Sequence, residues 1–467
     1  MKRHVYIAVA LAGARALLLA QDIRVNLQQG ERPAMAIPDF RGDAQAQPFM
    51  GAFNDTLWSD VDGAGLLRMV PKTMYPKLNP QQPSDWRQPA PSRAPAPRQR
   101  QSEPIPLPSG GGIWPSDWSG PPVSANFIAF GYTAVQNGVL TLYGWLWDLG
   151  RGSQVITQRY FSATVDEAGA REIAHKFAAD IITQFGGQSI SGTHIYFSRG
   201  DGAGHKEIWV MDPDGKNQKQ ITHWNSLSTF VAPSPDGTKI AFSSWHLGNP
   251  AIFVFSVDPV RDLRFYNQRA SVNSSPSFTP DGKQIVYSSS AASGHGNVLY
   301  IANLDGTGFR PITRGTTTID TEPKVNPKNG DEIVFVSDRS SGGGVGQQIY
   351  KTNMEGVDIQ RLTPGEGQAS NPSWHPGGQF IAFAWTRGFM AGDYNIFTMY
   401  VATRQYKQLT HSDGKNENPS WAPDGVHIVF SSTRTGTPQI WTMLADGTQA
   451  RQLTTQGSNE RPVWASK

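Results

Sequence analysis

The feature that most constrains the fold is an internal repeat in the second half of the chain. Its central run reads Pro-Ser-aromatic-x-Pro, in several copies followed by Asp-Gly, and a short alternating Ile-x-Phe or Ile-x-Tyr run comes next. The proline of its turn recurs at spacings of 45 to 49 residues, at Pro235, Pro280, Pro327, Pro376 and Pro423. Periods between about 20 and 50 residues are typical of solenoids and propellers.

Each repeat predicts four short strands, which together make one propeller blade. The second strand occurs six times, starting at Ile195, Ile240, Ile285, Ile333, Ile381 and Ile428. Six copies predict an all-β six-bladed β-propeller over residues 186–467. No Pro-Ser-Trp run precedes Ile195, whereas the chain ends on an unmatched run of this kind at 462–464. We therefore expect the C-terminal strand to complete the blade that begins at Ile195, which leaves the ring no open edge.

Residues 21–185 predict a small N-terminal α/β (α+β) domain before the propeller. Apolar runs and hairpin signals predict strands at 35–37, 66–70, 127–132, 140–147 and 154–162, and a helix at 48–61. Asp166 is expected to cap a second helix that runs to about residue 185. Residues 76–122 contain 13 prolines. Because such a segment buries little apolar surface, we expect it to be a disordered insertion.

The first twenty residues have the order of a secretory signal peptide. Lys2 and Arg3 precede a mainly apolar run at 5–19, and Ala20 supplies a small residue at the expected cleavage position. The apolar run contains Arg15 and is shorter than the roughly 20 residues that cross a bilayer. We therefore expect residues 1–20 to direct export, and we expect no membrane span.

Composition and motifs argue against several classes of function. The net charge is only +3 without a basic stripe, which disfavours nucleic-acid binding. Cysteine is absent, which removes disulfides and thiolate chemistry. No nucleophile elbow, His-Glu-x-x-His helix or P-loop occurs, and the histidines occupy different repeat positions, so we expect no cofactor or metal. The alternative is a propeller hydrolase or lyase that acts on peptide or sugar through channel residues.

A ring of residue pairs precedes the predicted innermost strands. The pairs are Thr229-Phe230, Ser274-Ser275, Thr321-Glu322, Ser370-Asn371, Glu417-Asn418 and Glu460-Arg461. Equivalent positions of a propeller surround its central axis, so these pairs are expected to encircle one channel mouth and to bind a partner's segment. The alternative is that these polar residues only begin strands in solvent.

The whole organisation resembles the TolB family, the periplasmic propeller component of the Tol-Pal system. The residues that carry the resemblance are the signal-like segment, Ala36-Ile37-Pro38-Asp39-Phe40, Ile208-Trp209-Val210-Met211-Asp212 and the repeats. The resemblance implies a non-enzymatic periplasmic adaptor without cofactors. Because a closed ring needs no second copy, we expect a monomer. The resemblance also implies a role in outer-membrane integrity and in invagination during cell division.

The resemblance further implies two binding sites. In the family, the propeller mouth binds Pal, a peptidoglycan-associated outer-membrane lipoprotein, and the mature N-terminal strand binds the inner-membrane protein TolA. The corresponding mouth residues here are Asn273, Ser274, Thr321, Glu322, Asn371, Glu417, Asn418 and Glu460. The TolA-binding strand lies within 21–30 and comprises Gln21, Asp22, Ile23, Arg24, Val25, Asn26 and Leu27. Its alternating apolar residues suit addition to a partner's sheet, and the alternative is a strand of this protein's own N-terminal domain.

Overall fold

The computed structural model describes residues 32–87, 112–267, 271–291, 296–315, 317–339 and 346–466. The chain divides into two compact units between Ser191 and Gly192. The expected signal peptide at 1–20 and the expected partner-binding strand at 21–30 lie outside the described residues.

The first unit is a mixed sheet with two main helices. Its strands are β1 (Ala34–Ala36), β2 (Arg41–Gly42), β3 (Arg68–Met69), β4 (Phe127–Gln136), β5 (Val139–Asp148) and β6 (Ser153–Ser162). Its helices are α1 (Met50–Gly63), α2 (Pro115–Ser119) and α3 (Glu167–Gln184), with 3-10 turns at Gln47–Phe49, Lys72–Met74 and Pro83–Asp85. The sheet order is β3-β1-β4-β5-β6, with β2 beside β4. Strand β1 runs parallel to β3 and β4, and the later hairpins are antiparallel.

Helices α1 and α3 pack together on one face of this sheet. Ile173 and Phe177 of α3 are buried with Phe53 and Leu57 of α1 in one apolar cluster. The predicted cap of α3 is present, because Asp166 Oδ1 accepts a hydrogen bond of 2.8 Å from the Gly169 amide.

The prediction of a disordered insertion over 76–122 was wrong for its two ends. Trp86 and Trp118 are 7% and 0% exposed and belong to an apolar cluster with Phe130 on the sheet. Trp86 also forms a parallel bridge with Ile113, which joins the two ends of the insertion. Aromatic side chains among the prolines supply the apolar area that proline content alone does not reveal. Residues 88–111 lie outside the described residues.

The second unit is a six-bladed β-propeller, as the repeat predicts. Its strands in chain order are β7 (His194–Gly200), β8 (Lys206–Met211), β9 (Lys219–Gln220), β10 (Ser228–Pro233), β11 (Lys239–Ser244), β12 (Ala251–Val257), β13 (Val260–Asp262), β14 (Asn273–Phe278), β15 (Gln284–Ser289), β16 (Val298–Asn303), β17 (Arg310–Pro311), β18 (Asp320–Val325), β19 (Glu332–Ser337), β20 (Gln348–Asn353), β21 (Gln360–Arg361), β22 (Ala369–Trp374), β23 (Phe380–Trp385), β24 (Asn395–Tyr400), β25 (Gln405–Gln408), β26 (Asn416–Trp421), β27 (His427–Ser432), β28 (Gln439–Leu444), β29 (Arg451–Gln452) and β30 (Ser458–Ala465). Every four-stranded blade is antiparallel. Strands β10, β14, β18, β22, β26 and β30 are the first strands of blades 1 to 6.

The last blade joins the two ends of the propeller sequence. Strand β30 pairs antiparallel with β7, with Ser458 opposite Gly200 and Ala465 opposite His194. The side chain of Trp464 is 5% exposed, and its Nε1 donates to Thr193 Oγ1 at 2.8 Å. The predicted seam of the ring is therefore present.

The serine of the Pro-Ser-aromatic motif links neighbouring blades. In three blades its hydroxyl accepts a hydrogen bond from an amide of the next first strand. These bonds join Val325 to Ser277 at 3.2 Å, Trp421 to Ser373 at 3.2 Å and Trp464 to Ser420 at 3.1 Å. The serine of the repeat therefore forms hydrogen bonds between blades, in addition to being part of the strand pattern.

Candidate binding site at the channel mouth

Each first strand of a blade contains a β-bulge near its start. In β18, for example, the ladder to β19 shifts between Thr321 and Lys324. At each bulge one non-glycine residue has a φ of 51 to 55°, namely Phe230, Ser275, Glu322, Asn371, Asn418 and Arg461. This left-handed conformation costs about 1–3 kcal/mol at residues other than glycine, and such strain clusters at functional sites. Its sixfold occurrence marks this ring as a candidate site.

The six bulge residues line one cavity on the propeller axis. Its empty space is about 440 Å³, including open solvent. A second cavity of about 1100 Å³ is lined by the far ends of the first strands and by Trp374, Trp421 and Trp464. Lys324 lines both cavities. Its side chain therefore lies where the two parts of the channel meet.

Side chains at the mouth bind the bulge backbone of the next blade. The Asn371 amide donates to Glu322 Oε2 at 2.7 Å, and Asn371 Nδ2 donates to both oxygens of Glu322 at 3.1 Å. The Asn418 amide in turn donates to Asn371 Oδ1 at 3.3 Å. Polar groups around half of the ring are thus fixed by hydrogen bonds before any partner arrives.

Two cations and one carboxylate face the cavity. Arg461 Nη1 lies 3.4 Å from Glu322 Oε1, and its guanidinium lies 3.9 Å from the ring centroid of Phe230. Lys324 has no ion-pair or hydrogen-bond partner for its ammonium among the residues that the structure describes. Burial between the channel walls lowers the pKa of Lys324; Glu322 opposes this shift and Arg461 adds to it.

Replacement of Lys324 by methionine should stabilise the protein. A lysine with a lowered folded-state pKa binds fewer protons when folded than when unfolded, so its cost is largest at neutral pH and declines as pH rises towards 10.5. We expect Lys324→Met to raise the free energy of unfolding at pH 7 by roughly 1 kcal/mol, as when buried charges are replaced by apolar side chains. Urea unfolding at pH 7 and pH 10 tests this, and a gain that grows with pH would contradict it.

Apart from Asn273, the predicted mouth residues fall into two groups in the structure. Glu322, Asn371 and Asn418 line the cavity. The other group lies one residue earlier in each strand and pairs with the second strand of the blade; it contains Ser274, Thr321, Glu417 and Glu460. The pairs therefore lie within the first strands rather than before them, and the second member of each pair reaches the channel.

Two of the predicted residues form ion pairs outside the cavity lining. Glu417 Oε2 lies 3.0 Å from Lys415 Nζ, and Glu460 Oε2 lies 2.5 Å from Lys206 Nζ. The Glu417 pair is partly exposed and the Glu460 pair is half-buried, and both hold side chains beside the mouth.

Asn273 is not at the surface of the mouth. It is 1% exposed, and its Nδ2 donates to Ser271 Oγ at 3.0 Å. The equivalent Asp320 is also buried and accepts a hydrogen bond of 2.7 Å from Ser337 Oγ. Asn273 and Asp320 are therefore buried within their blades and are not among the residues that line the cavity, and the role of Asn273 in binding stays a prediction.

Sequence reasoning missed Lys324 as a channel residue. The equivalent positions in the other blades carry small or apolar residues: Ala232, Ser277, Ser373, Ser420 and Val463. The signal in the sequence was a lysine at a repeat position where the other blades have small or apolar residues.

The histidines show no shared site. His246 stacks on Trp224 with ring centroids 4.4 Å apart, and His427 pairs with Asp424 at 2.6 Å. Within the described ranges, no group of three or more His, Asp or Glu side chains is arranged to hold a metal ion. Among the same residues, no helix is long and apolar enough to cross a membrane.

Comparisons with known proteins agree with this architecture. A family described as the TolB beta propeller domain matches residues 183–389 and 365–467. A TolB homolog from Chlorobium luteolum is 32% identical over 190 residues, covering 40% of this chain and 41% of the homolog. The Tol-Pal system protein TolB of Desulfosudis oleivorans is 31% identical over 194 residues, covering 41% and 42%. The chain thus matches these relatives over less than half of their length.

One solved structure matches nearly the whole chain. The crystal structure of TolB from Acinetobacter baumannii superposes with a TM-score of 0.71 at 19% identity, covering 94% of this chain and 98% of that chain. This likeness supports the fold of both units, each taken by itself. The family match covers the entire propeller, including the strand that closes it. The chain belongs to the TolB β-propeller family.

Proposed function

We propose that this protein is a non-enzymatic periplasmic adaptor of the Tol-Pal system. In this role its channel mouth binds a Pal-like peptidoglycan-associated lipoprotein, and the segment at 21–30 binds a TolA-like inner-membrane protein. By holding both partners, the monomeric adaptor would support outer-membrane integrity and invagination during division. The family membership and the name of the Desulfosudis oleivorans relative support the assignment to this system.

The single observation that carries the proposal is the strained ring at the mouth. Six left-handed residues from six blades line one cavity, and Glu322 and Asn371 are already fixed by hydrogen bonds. A preorganised ring loses little conformational entropy on binding, which favours capture of a protein segment.

Capture from envelope extract tests the proposal. The mature protein, immobilised, should recover a peptidoglycan-associated lipoprotein that mass spectrometry identifies. Glu322→Arg should reduce recovery at least tenfold, because it removes the acceptor of the Asn371 amide and adds a third cation to the mouth. Deletion of 21–27 should remove a TolA-like protein from the eluate and leave the lipoprotein in place.

A matched charge reversal outside the mouth is the control. Glu355 lies in the same blade, is 72% exposed and pairs with Arg310 at 3.1 Å. Glu355→Arg should leave recovery of both partners unchanged. If no lipoprotein is recovered, or if both charge reversals reduce recovery equally, the mouth is not its binding site.

A further inference from the structure

We infer that the channel takes up an acidic side chain of the bound partner, whose carboxylate is held by the Lys324 ammonium and the Ser275 hydroxyl. This inference rests on the proposed binding role of the mouth and adds the chemistry of the segment that enters it. Lys324 and Ser275 come from neighbouring blades and line the same cavity.

The charge balance of the cavity favours an anion. Glu322 accepts hydrogen bonds from Asn371 and lies within 3.4 Å of Arg461, so its carboxylate is already engaged. Arg461 is held between this carboxylate and the Phe230 ring. Lys324 remains as the cation of the cavity without a partner among the described residues. One uncompensated positive charge matches a singly charged carboxylate better than a doubly charged phosphate.

Ser275 supplies a second, independent indication of a ligand. It is 4% exposed, and its hydroxyl has no hydrogen-bond partner among the residues described. Its own amide is engaged, donating to Ser243 Oγ at 3.0 Å, so the backbone fixes the residue while its hydroxyl stays unpaired. A buried hydroxyl without a partner is unfavourable, and a carboxylate oxygen is an acceptor that would satisfy it.

The position of Lys324 strengthens this recognition. Its side chain lies where the two channel cavities meet, surrounded by protein walls. Charges attract each other more strongly in such surroundings than in water. The binding of a carboxylate would therefore offset the cost of placing an unpaired ammonium there, a cost that the free protein bears.

Two short blocked peptides test the inference on the full chain without any partner. The probes are acetyl-Gly-Glu-Gly-amide and acetyl-Gly-Gln-Gly-amide, which differ in one charge, and their dissociation constants are measured by NMR titration. We expect the glutamate peptide to bind about tenfold more tightly, as for a hydrogen-bonded ion pair. Lys324→Met should remove this difference, whereas Lys324→Arg should keep most of it. Lys328→Met, an exposed lysine of the same blade, should change nothing.

The outcomes separate this inference from the proposed function. Equal binding of the two peptides, or a preference that survives Lys324→Met, would overturn carboxylate recognition even if a lipoprotein is captured. Tighter binding of inorganic phosphate than of the glutamate peptide would overturn it as well. A preference that depends on Lys324 without any captured lipoprotein would support the inference and contradict the proposed partner.

Discussion

A chain that ends at Glu460 should lose the cooperative unfolding transition of the propeller. The deletion of 461–467 removes half of the antiparallel pairing of β30 with β7, namely Val463, Trp464 and Ala465 opposite Tyr196, Ile195 and His194. It also removes the buried Trp464, whose loss alone costs about 3–5 kcal/mol by analogy with other buried aromatic residues. Because domains are stable by only about 5–15 kcal/mol, the ring should not remain closed. Scanning calorimetry measures the transition.

Two controls accompany this truncation. A chain that lacks only residue 467 should unfold like the full chain. A synthetic peptide of residues 461–466, added to the truncated chain, should restore the transition by pairing with the part of the β7 edge that the deletion exposes. A truncated chain that melts at the temperature of the full chain would show that the seam contributes nothing to closure.

Gly356→Ala should be among the most destabilising single substitutions in the propeller. Gly356 has a φ of 71°, and a Cβ at this position would lie 1.8 Å from the carbonyl oxygen of Ile312 in the preceding blade. The substitution therefore combines backbone strain of about 1–2 kcal/mol with a backbone clash that pushes two blades apart. We expect a loss of about 3 kcal/mol or more, measured by urea unfolding.

The matched control is Gly388→Ala. Gly388 has a similar φ of 77°, but a Cβ there would meet no atom within 4 Å. This variant should lose only the backbone strain, about 1–2 kcal/mol. Equal losses for the two variants would mean that the turn at Gly356 does not hold the blades together.

The blades and their closure were predictable because the determinants are local and repeated. The Pro-Ser-aromatic run, the alternating second strand and the unmatched run at 462–464 each describe one strand, so the count and the seam followed from the sequence. Asp166 was equally readable, since a cap depends on neighbours within three residues. The burial of Trp86 and Trp118 could not be predicted in this way. It depends on packing against a sheet, and some of the residues of that sheet lie 40 or more positions away in the sequence.

The candidate site was predictable only in outline. The ring of pairs identified Glu322, Asn371 and Asn418, but not that a bulge turns the second member of each pair towards the axis. A bulge arises from pairing with the next strand, which periodicity along one strand does not show. Lys324 departs from the small or apolar residues at equivalent repeat positions, but its position in the cavity lining depends on how the blades surround the axis, which one repeat does not show.

Calorimetric titration of the purified protein with the soluble domain of a Pal-like lipoprotein tests whether the channel mouth binds such a partner. We expect saturable one-to-one binding, a loss of at least tenfold in affinity for Glu322→Arg, and unchanged affinity for Glu355→Arg in the same blade. Absence of binding, or binding that Glu322→Arg leaves intact, would contradict the assignment of the channel mouth as the lipoprotein site.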